Sequence, residues 1–593
     1  MSDTAPESAI EALIERGSKA IAADGRGLNY WRIDESLQHL LRLHVAPEVF
    51  EHFAPHLDTL GEAAGGWLDE LASVADRNPP VLRPRDRFGR DTNDVDYHPA
   101  YKQMERFAFG QLGLAAMSHK PGLFGWSAPV PPVIKYAFTY LFSQAEFGLL
   151  CPINGTDAAA QMIRRHGDER LQQRMQGMLS QDMNELAKVG HFMTEKHGGS
   201  DLGGIETRAE RDGEHWRLYG EKWFCSAIDA DFILVLARPD GAAAGSRGLG
   251  MFVVPRLLDG GAPNRYRIIR LKDKLGTRSM ATGEVVFDGA QAYPVGELSD
   301  GIRIATVPIN YSRLSHGVRA AGMMRRCLNE AVEAARSRRA FGRTVADHPL
   351  MKRSLAKILV PTEQALSVSL FVASELTLAD AGDADASRRL RIATALLKFR
   401  ACRDNAVVAT ASMEVRGGSG FIEEWVNARL VRDAQTGLLW EGTSNINALD
   451  IVNRAVRKNR AHEALAAYLR MLLETPGIPA GLAADLSSEI ERVTADIEEI
   501  AASPELEHLC RSVSSRFYHV LSAVLMAWEG ARCAAAGRGA RRLLLAWLVL
   551  MHRVRRLDPL DSALRARESA VVEALLGDAG PIPLAEVDRM IRS

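Results

Sequence analysis

In the stretch "LLWEGTSNINALD", Leu438 to Asp450, Glu441 is flanked by aliphatic residues and followed by Thr443, Ser444, Asn445 and Asn447. A carboxylate in that setting has two chemistries open to it. It complements the positive end of a helix that starts nearby, or it is a general base in a poorly solvated pocket. A general base needs something to take the electrons it frees, and two other stretches offer surfaces for a ligand. "RGGSGF" follows a helical segment directly, and its glycines either turn the chain or let backbone approach a ligand. "GEKWFCSA" presents Trp223 and Phe224 in a β-rich run, where a flat apolar ring system could stack. Sheet core is the alternative reading of both rings. The six cysteines are widely spaced with no CxxC pair, so no zinc site, disulfide scaffold or other metal centre is expected.

These residues need elements to position them. At 593 residues the chain is too long for one core, and two to four packed units are expected. Residues 1–187 read as mostly helical, interrupted by "RNPPVLRPRDRFGRDTNDVDYHPA", whose prolines and charges argue for irregular structure. From 188 to 295 short β-rich runs alternate with glycine, proline and aspartate, as in an antiparallel sheet. Helical periodicity returns near Gly301, where Ala321, Met324, Leu328, Val332 and Ala335 share one face. That helix is expected to end at "RRAFGR" with Gly342 as its C-cap, and a second runs from about 387 to 415. The fold class is therefore α+β. A helical unit (1–187), a β unit (188–295) and a helical bundle (296–459) precede an extra helical module (460–593).

The net charge of −1 gives no argument for a nucleic-acid or membrane partner without a local patch. The acidic start "MSDTAPESAIEALIERG" lacks the basic and apolar regions of a signal peptide. The apolar run Leu543–Met551 is about half a membrane span. A cytoplasmic protein without a membrane span is the expectation.

The α–β–α order, together with "MTEKHGGSD", "GEKWFCSA", "LKDKLGTRSM", "RRAFGR", "RGGSGF" and "WEGTSNI" in sequence, resembles the acyl-CoA dehydrogenase superfamily of flavoproteins over roughly residues 95–455. The resemblance implies an FAD between the β unit and the helical bundle, with Thr194 and Ser200 on the flavin side, Phe224 packed on the isoalloxazine and Ser226 facing its reactive nitrogen. It implies that Arg338, Phe341, Glu414, Gly417 and Gly418 reach the FAD of a neighbouring subunit, that Thr443 and Asn445 contact FAD, and that Gly199, Ser200 and Arg313 meet the substrate. A homotetramer built as a dimer of dimers follows from the same resemblance. Glu441 matches the catalytic base of the short- and medium-chain branches, so the implied reaction is α,β-dehydrogenation of an acyl thioester. Electrons would pass to an electron-transfer flavoprotein or to oxygen.

Asn310, Pro349 and His197 depart from the usual pattern of an aspartate, a glutamine and a proline. The segments "GLLCPINGT" and "GEKWFCS", with the proline-containing loop near residue 80, are similar to the alkylation-response branch. That branch carries an added C-terminal helical domain implicated in binding duplex DNA. Residues 456–593 here hold 18 Lys plus Arg and 18 Asp plus Glu. Arg532, Arg538, Arg541, Arg542, Arg553, Arg555 and Arg556 nevertheless fall with no acid between Glu529 and Asp558. Arg541, Arg542, Arg553, Arg555 and Arg556 are the candidate phosphate contacts; the alternative is a core helix with arginines at its ends.

Overall fold

The computed structural model describes residues 21–555, 560–577 and 580–592. The N-terminal unit packs α1 (Glu35–His44), α2 (Pro47–Gly65), α3 (Trp67–Arg77), α4 (Pro132–Phe142) and α5 (Leu150–His166). Asp34 caps α1, its Oδ1 accepting the Leu37 N–H at 2.9 Å, which satisfies one of the helix's free donors. The segment expected to be irregular forms a hairpin instead, β1 (Val81–Arg85) against β2 (Asp91–Asp96). Pro84 is tolerated because it falls at the register shift between Arg83 and Arg85, where no regular ladder bond is lost.

The β unit comprises β3 (Val189–Phe192), β4 (Arg208–Asp212), β5 (His215–Ser226), β6 (Phe232–Pro239), β7 (Gly250–Pro255), β8 (Tyr266–Leu271) and β9 (Thr282–Pro294). Their order is β3-β6-β4-β5-β9-β7, with β8 on β9. The sheet is mixed, not antiparallel as expected, because β3 and β4 both run parallel to β6. Parallel pairing needs a long return connection, and the β4–β5 hairpin, inserted between β3 and β6, provides it.

Three long helices form the bundle: α6 (Gly301–Ser337), α7 (Pro349–Asp380) and α8 (Ala384–Arg416). Gly342 does not cap α6. The helix stops at Ser337, and β10 (Arg339–Ala340) pairs with β11 (Arg343–Thr344) around Phe341 and Gly342, both left-handed at φ 50° and 81°. Two positive φ values suit a two-residue hairpin turn. α7 is long and apolar enough to cross a membrane, but it is enclosed in the bundle, with 94% of its apolar window buried.

After α9 (Ser444–Asp450) come α10 (Ala461–Leu473), α11 (Ala480–Ala502), α12 (Cys510–Ala535) and α13 (Arg541–Val549). This module is not a tethered appendage. Its Val520, Leu544 and Leu548 belong to one continuous core with Leu41 of α1 and Leu366 of α7.

That packing takes Arg542 out of the candidate phosphate contacts. Arg542 is carried inward by the apolar α13 and donates to Glu363 Oε2 at 2.6 Å and Glu529 Oε2 at 2.7 Å. Arg541 is mostly enclosed beside it, and burial lowers its pKa. Arg555 is paired with Asp485 at 2.6 Å, Arg553 is half-buried, and Arg556 lies outside the described residues.

Candidate active site

The segment that carries Glu441 is a tight turn between two helical pieces. α9 begins at Ser444 with Thr443 as its N-cap residue, so the acid lies outside the helix and not in its first turn. Glu441 and Gly442 have φ of 55° and 95°. A non-glycine residue in the left-handed region is strained by about 1–2 kcal/mol, so the surroundings must hold it.

Four side chains do so. Ser312 Oγ on α6 donates to Glu441 Oε1 at 2.8 Å, and Arg313 Nε donates to the Glu441 carbonyl at 3.3 Å. Lys398 Nζ on α8 donates to the Gly442 carbonyl at 2.6 Å, and Asn447 Nδ2 reaches the same oxygen at 2.6 Å. Arg313, expected at the substrate, takes part in this clamp, with Nη1 on Asp450 Oδ2 at 2.7 Å. Asp450 is itself held by Arg391 at 2.8 Å.

An aromatic pair adjoins the acid. His316, one turn along α6, stands edge-on to Trp440 with ring centroids 5.6 Å apart. Its pKa falls well below the usual value because it is buried and Arg319 lies beside it, so the ring is neutral. Burial also raises the Glu441 pKa, while the Ser312 hydrogen bond and the charges of Arg313, Lys398 and Arg319 oppose that rise. A carboxylate with a raised pKa, ionised but poorly solvated, is the form a proton-abstracting base needs.

On the β unit, the register between β5 and β9 slips between Lys222 and Cys225. Trp223 and Phe224 sit in that bulge, which breaks the in–out alternation and turns Phe224 outward to 53% exposure. The bulge is tied to the "MTEKHGGSD" segment by the Trp223 N–H, which donates to the Thr194 carbonyl at 2.9 Å. Behind it, Lys222 is fully buried on Glu195 at 2.6 Å, which fixes the segment to the sheet. Ser226 Oγ lies 3.1 Å from Thr282 Oγ1. Thr194 and Gly199 pack so closely that a Cβ on Gly199 would meet Thr194 Oγ1 at 2.5 Å. Ser200 is exposed beside them.

Arg338, Phe341, Glu414, Gly417 and Gly418 gather separately. Arg338 Nη1 donates to the Arg416 carbonyl at 3.0 Å, and a Cβ on Gly417 would meet the same nitrogen at 3.5 Å. Phe341 is 96% exposed, Glu414 and Gly418 are exposed, and nothing would obstruct a Cβ on Gly418. The structure thus brings the sequence-derived residues together as three groups: one around Phe224 and Thr194, one around Arg338, and one where Arg313 meets Glu441.

Ser312 and Lys398 escaped the sequence reading. Ser312 adjoins Arg313 and carries no motif of its own. Lys398 did leave a signal: it is a lone charge within "ATALLKF", on the buried face of a helix.

The chain matches three family descriptions in turn: the adaptive response protein AidB N-terminal domain over residues 22–185, the acyl-CoA dehydrogenase middle domain over 190–290, and the acyl-CoA dehydrogenase C-terminal domain over 299–456. It is similar to the putative acyl-CoA dehydrogenase AidB of Escherichia coli K12, 35% identical over 65% of this chain and 70% of that one. Acyl-CoA dehydrogenase family member 11 of Caenorhabditis elegans is 30% identical over 72% of this chain and 70% of its own length. Among solved structures, Caenorhabditis elegans ACDH-11 in complex with C11-CoA shares the fold, with a TM-score of 0.84 at 24% identity over 98% of this chain and 100% of that chain. Like the α–β–α order, these matches show that the chain belongs to the acyl-CoA dehydrogenase family.

Proposed function

We propose that this enzyme dehydrogenates an acyl thioester between its α and β carbons, with Glu441 as the base. FAD is the cofactor of the family, and bound FAD supplies the acceptor for the β-hydride. The residues present suit it. Phe224 offers an exposed ring at a bulge, Ser226 a hydroxyl beside it, and Gly418 a backbone that nothing obstructs.

The observation that carries this reading is the state of Glu441. Oε1 is taken by Ser312, which leaves Oε2 to receive the α-proton. The turn that bears it is fixed through two carbonyls by Arg313 and Lys398, so the carboxylate approaches the substrate without reorganising. Trp440 and His316 limit water around it. The CoA ligand of the Caenorhabditis elegans structure supports a CoA thioester as the substrate class.

The second group, around Arg338 and Gly418, gives the reason for an oligomer. It lies on an exposed surface with Phe341 at 96%, Phe421 at 79% and Leu350 at 77% exposure. A neighbouring subunit's FAD would use Arg338 as a fork for phosphate, in a homotetramer that sedimentation would detect. The six free cysteines suit a reducing, cytoplasmic setting. The enclosure of Arg541 and Arg542 favours the enzymatic reading over a DNA-associated one.

The test is anaerobic bleaching of the bound flavin by a panel of acyl-CoA thioesters. At least one should reduce the wild type, and Glu441→Gln should bind it without bleaching. Full bleaching in Glu441→Gln would remove the base from the scheme. Hydrogen peroxide formed in air would identify an oxidase.

A further inference from the structure

Just beyond the base, two arginines converge on the same exposed turn from different parts of the chain. Arg403, on α8, donates from Nη1 to Ser444 Oγ at 3.0 Å. Arg511, in the first turn of α12 in the extra C-terminal module, donates from Nη1 to Asn445 Oδ1 at 3.3 Å. The guanidiniums are close enough that Arg511 helps to lower the pKa of Arg403, after burial as the larger cause. Neither lies within ion-pair distance of a carboxylate among the described residues: Asp404, whose charge acts on Arg403, is bound to Arg400 at 2.5 Å.

Two like charges held together against hydroxyl and amide oxygens, with no acid between them, repel each other. An anion relieves that repulsion. The surface around them matches a ligand with a phosphate and an apolar body. Thr443 and Asn445 are exposed, Leu439 is 64% exposed on the near side of Glu441, and Val407 is 66% exposed one turn along α8 from Arg403. A guanidinium fork suits phosphate because it donates two parallel hydrogen bonds.

We propose that Arg403 and Arg511 form a phosphate-binding pair for a nucleotide-bearing ligand of the active site, so that the extra C-terminal module supplies part of that site. The inference rests on the reading that the segment after Glu441 borders the flavin and the thioester. Two ligands carry the required chemistry, the diphosphate of FAD and the phosphates of CoA. The module is then not a separate binding domain attached to an enzyme: α12 delivers Arg511 to the segment that bears the base.

The test uses full-length holoenzyme and the variants Arg511→Gln, Arg403→Gln and the double substitution, with melting temperatures to confirm folding. Dissociation constants are read for FAD by flavin fluorescence on reconstitution of apoprotein, and for acyl-CoA by perturbation of the flavin spectrum in a Glu441→Gln background, where no turnover interferes. Loss of a charge-assisted bond to phosphate weakens binding about tenfold or more. Looser FAD in the double variant, with a weaker dependence on salt, would assign the pair to the cofactor. Unchanged FAD with looser acyl-CoA would assign it to CoA. Both affinities and both salt slopes equal to wild type in folded protein would overturn the proposal. Arg511 is exposed, so the single variant tests the idea even if Arg403→Gln does not fold. Bleaching that survives Glu441→Gln would instead count against the base and leave the phosphate pair standing.

Discussion

At the joint between α1, α7 and the C-terminal module, buried charges are matched. Arg325 meets Asp34 at 3.1 Å and Glu363 at 2.6 Å, while Arg542 meets Glu363 and Glu529. Ser367 Oγ also donates to Glu529 at 2.8 Å. Around the Glu441 segment, Arg313 and Arg391 share Asp450, but other cations are not matched. Lys398 is buried with one carbonyl as its acceptor. Arg319 is fully buried against the neutral His316, with Nη1 unpartnered. Arg403 and Arg511 meet only a hydroxyl and an amide. Matched charges fix the position of an element; unmatched cations around one carboxylate leave a field to act on a ligand.

The contrast can be broken at its strongest point first. Glu441→Gln should slow flavin reduction by about 10²–10⁴-fold, the usual worth of a general base, in stopped-flow bleaching with little change in melting temperature. Arg542→Met should do the reverse. It strands Glu529 in the interior and leaves Glu363 to Arg325 alone, at a cost of about 3–5 kcal/mol, measured by denaturant unfolding. The bleaching rate per bound flavin should stay close to wild type; if it falls in step with stability, the joint and the site are not separate.

Asp433 is an intermediate case, a buried acid without an ion pair among the described residues that accepts the Thr277 N–H at 2.6 Å. Burial, and then neighbouring Asp76, push its pKa up to about 7. The folded state therefore binds this proton more tightly than the unfolded chain. Its contribution is present below the ordinary carboxylate range and is lost as pH rises toward 7. Melting temperature should fall across that window, and Asp433→Asn should flatten the fall. The smallest effect belongs to the half-exposed Arg555–Asp485 pair, where Arg555→Ala should cost about 0.2–1 kcal/mol and should vanish into the background at high salt.

Much of the architecture was legible in the chain because it is written in local pattern. The periodic face of Ala321, Met324, Leu328 and Val332 marked α6, the β-rich runs marked the sheet, and the order of six motifs located Glu441. Where local pattern misled, a partner made the difference. Pro84 and the charges around it argued against strands, yet the hairpin formed once β2 lay alongside β1. Gly342 was placed correctly in a turn but given the wrong turn, because only the pairing of Arg339 with Thr344 distinguishes a hairpin from a helix cap.

The sequence by itself determined the family and singled out Glu441 and the surface around Phe224 as candidates, since each rests on residue types at short spacing. Tertiary structure alone decided what the charges do. An arginine's role depends on which acid the fold brings within a few ångströms, and Arg542 is 179 residues from Glu363. Arg542, from the run that resembled a phosphate stripe, became part of a joint, while Arg511, unmarked in the sequence, was carried 66 residues back to Asn445.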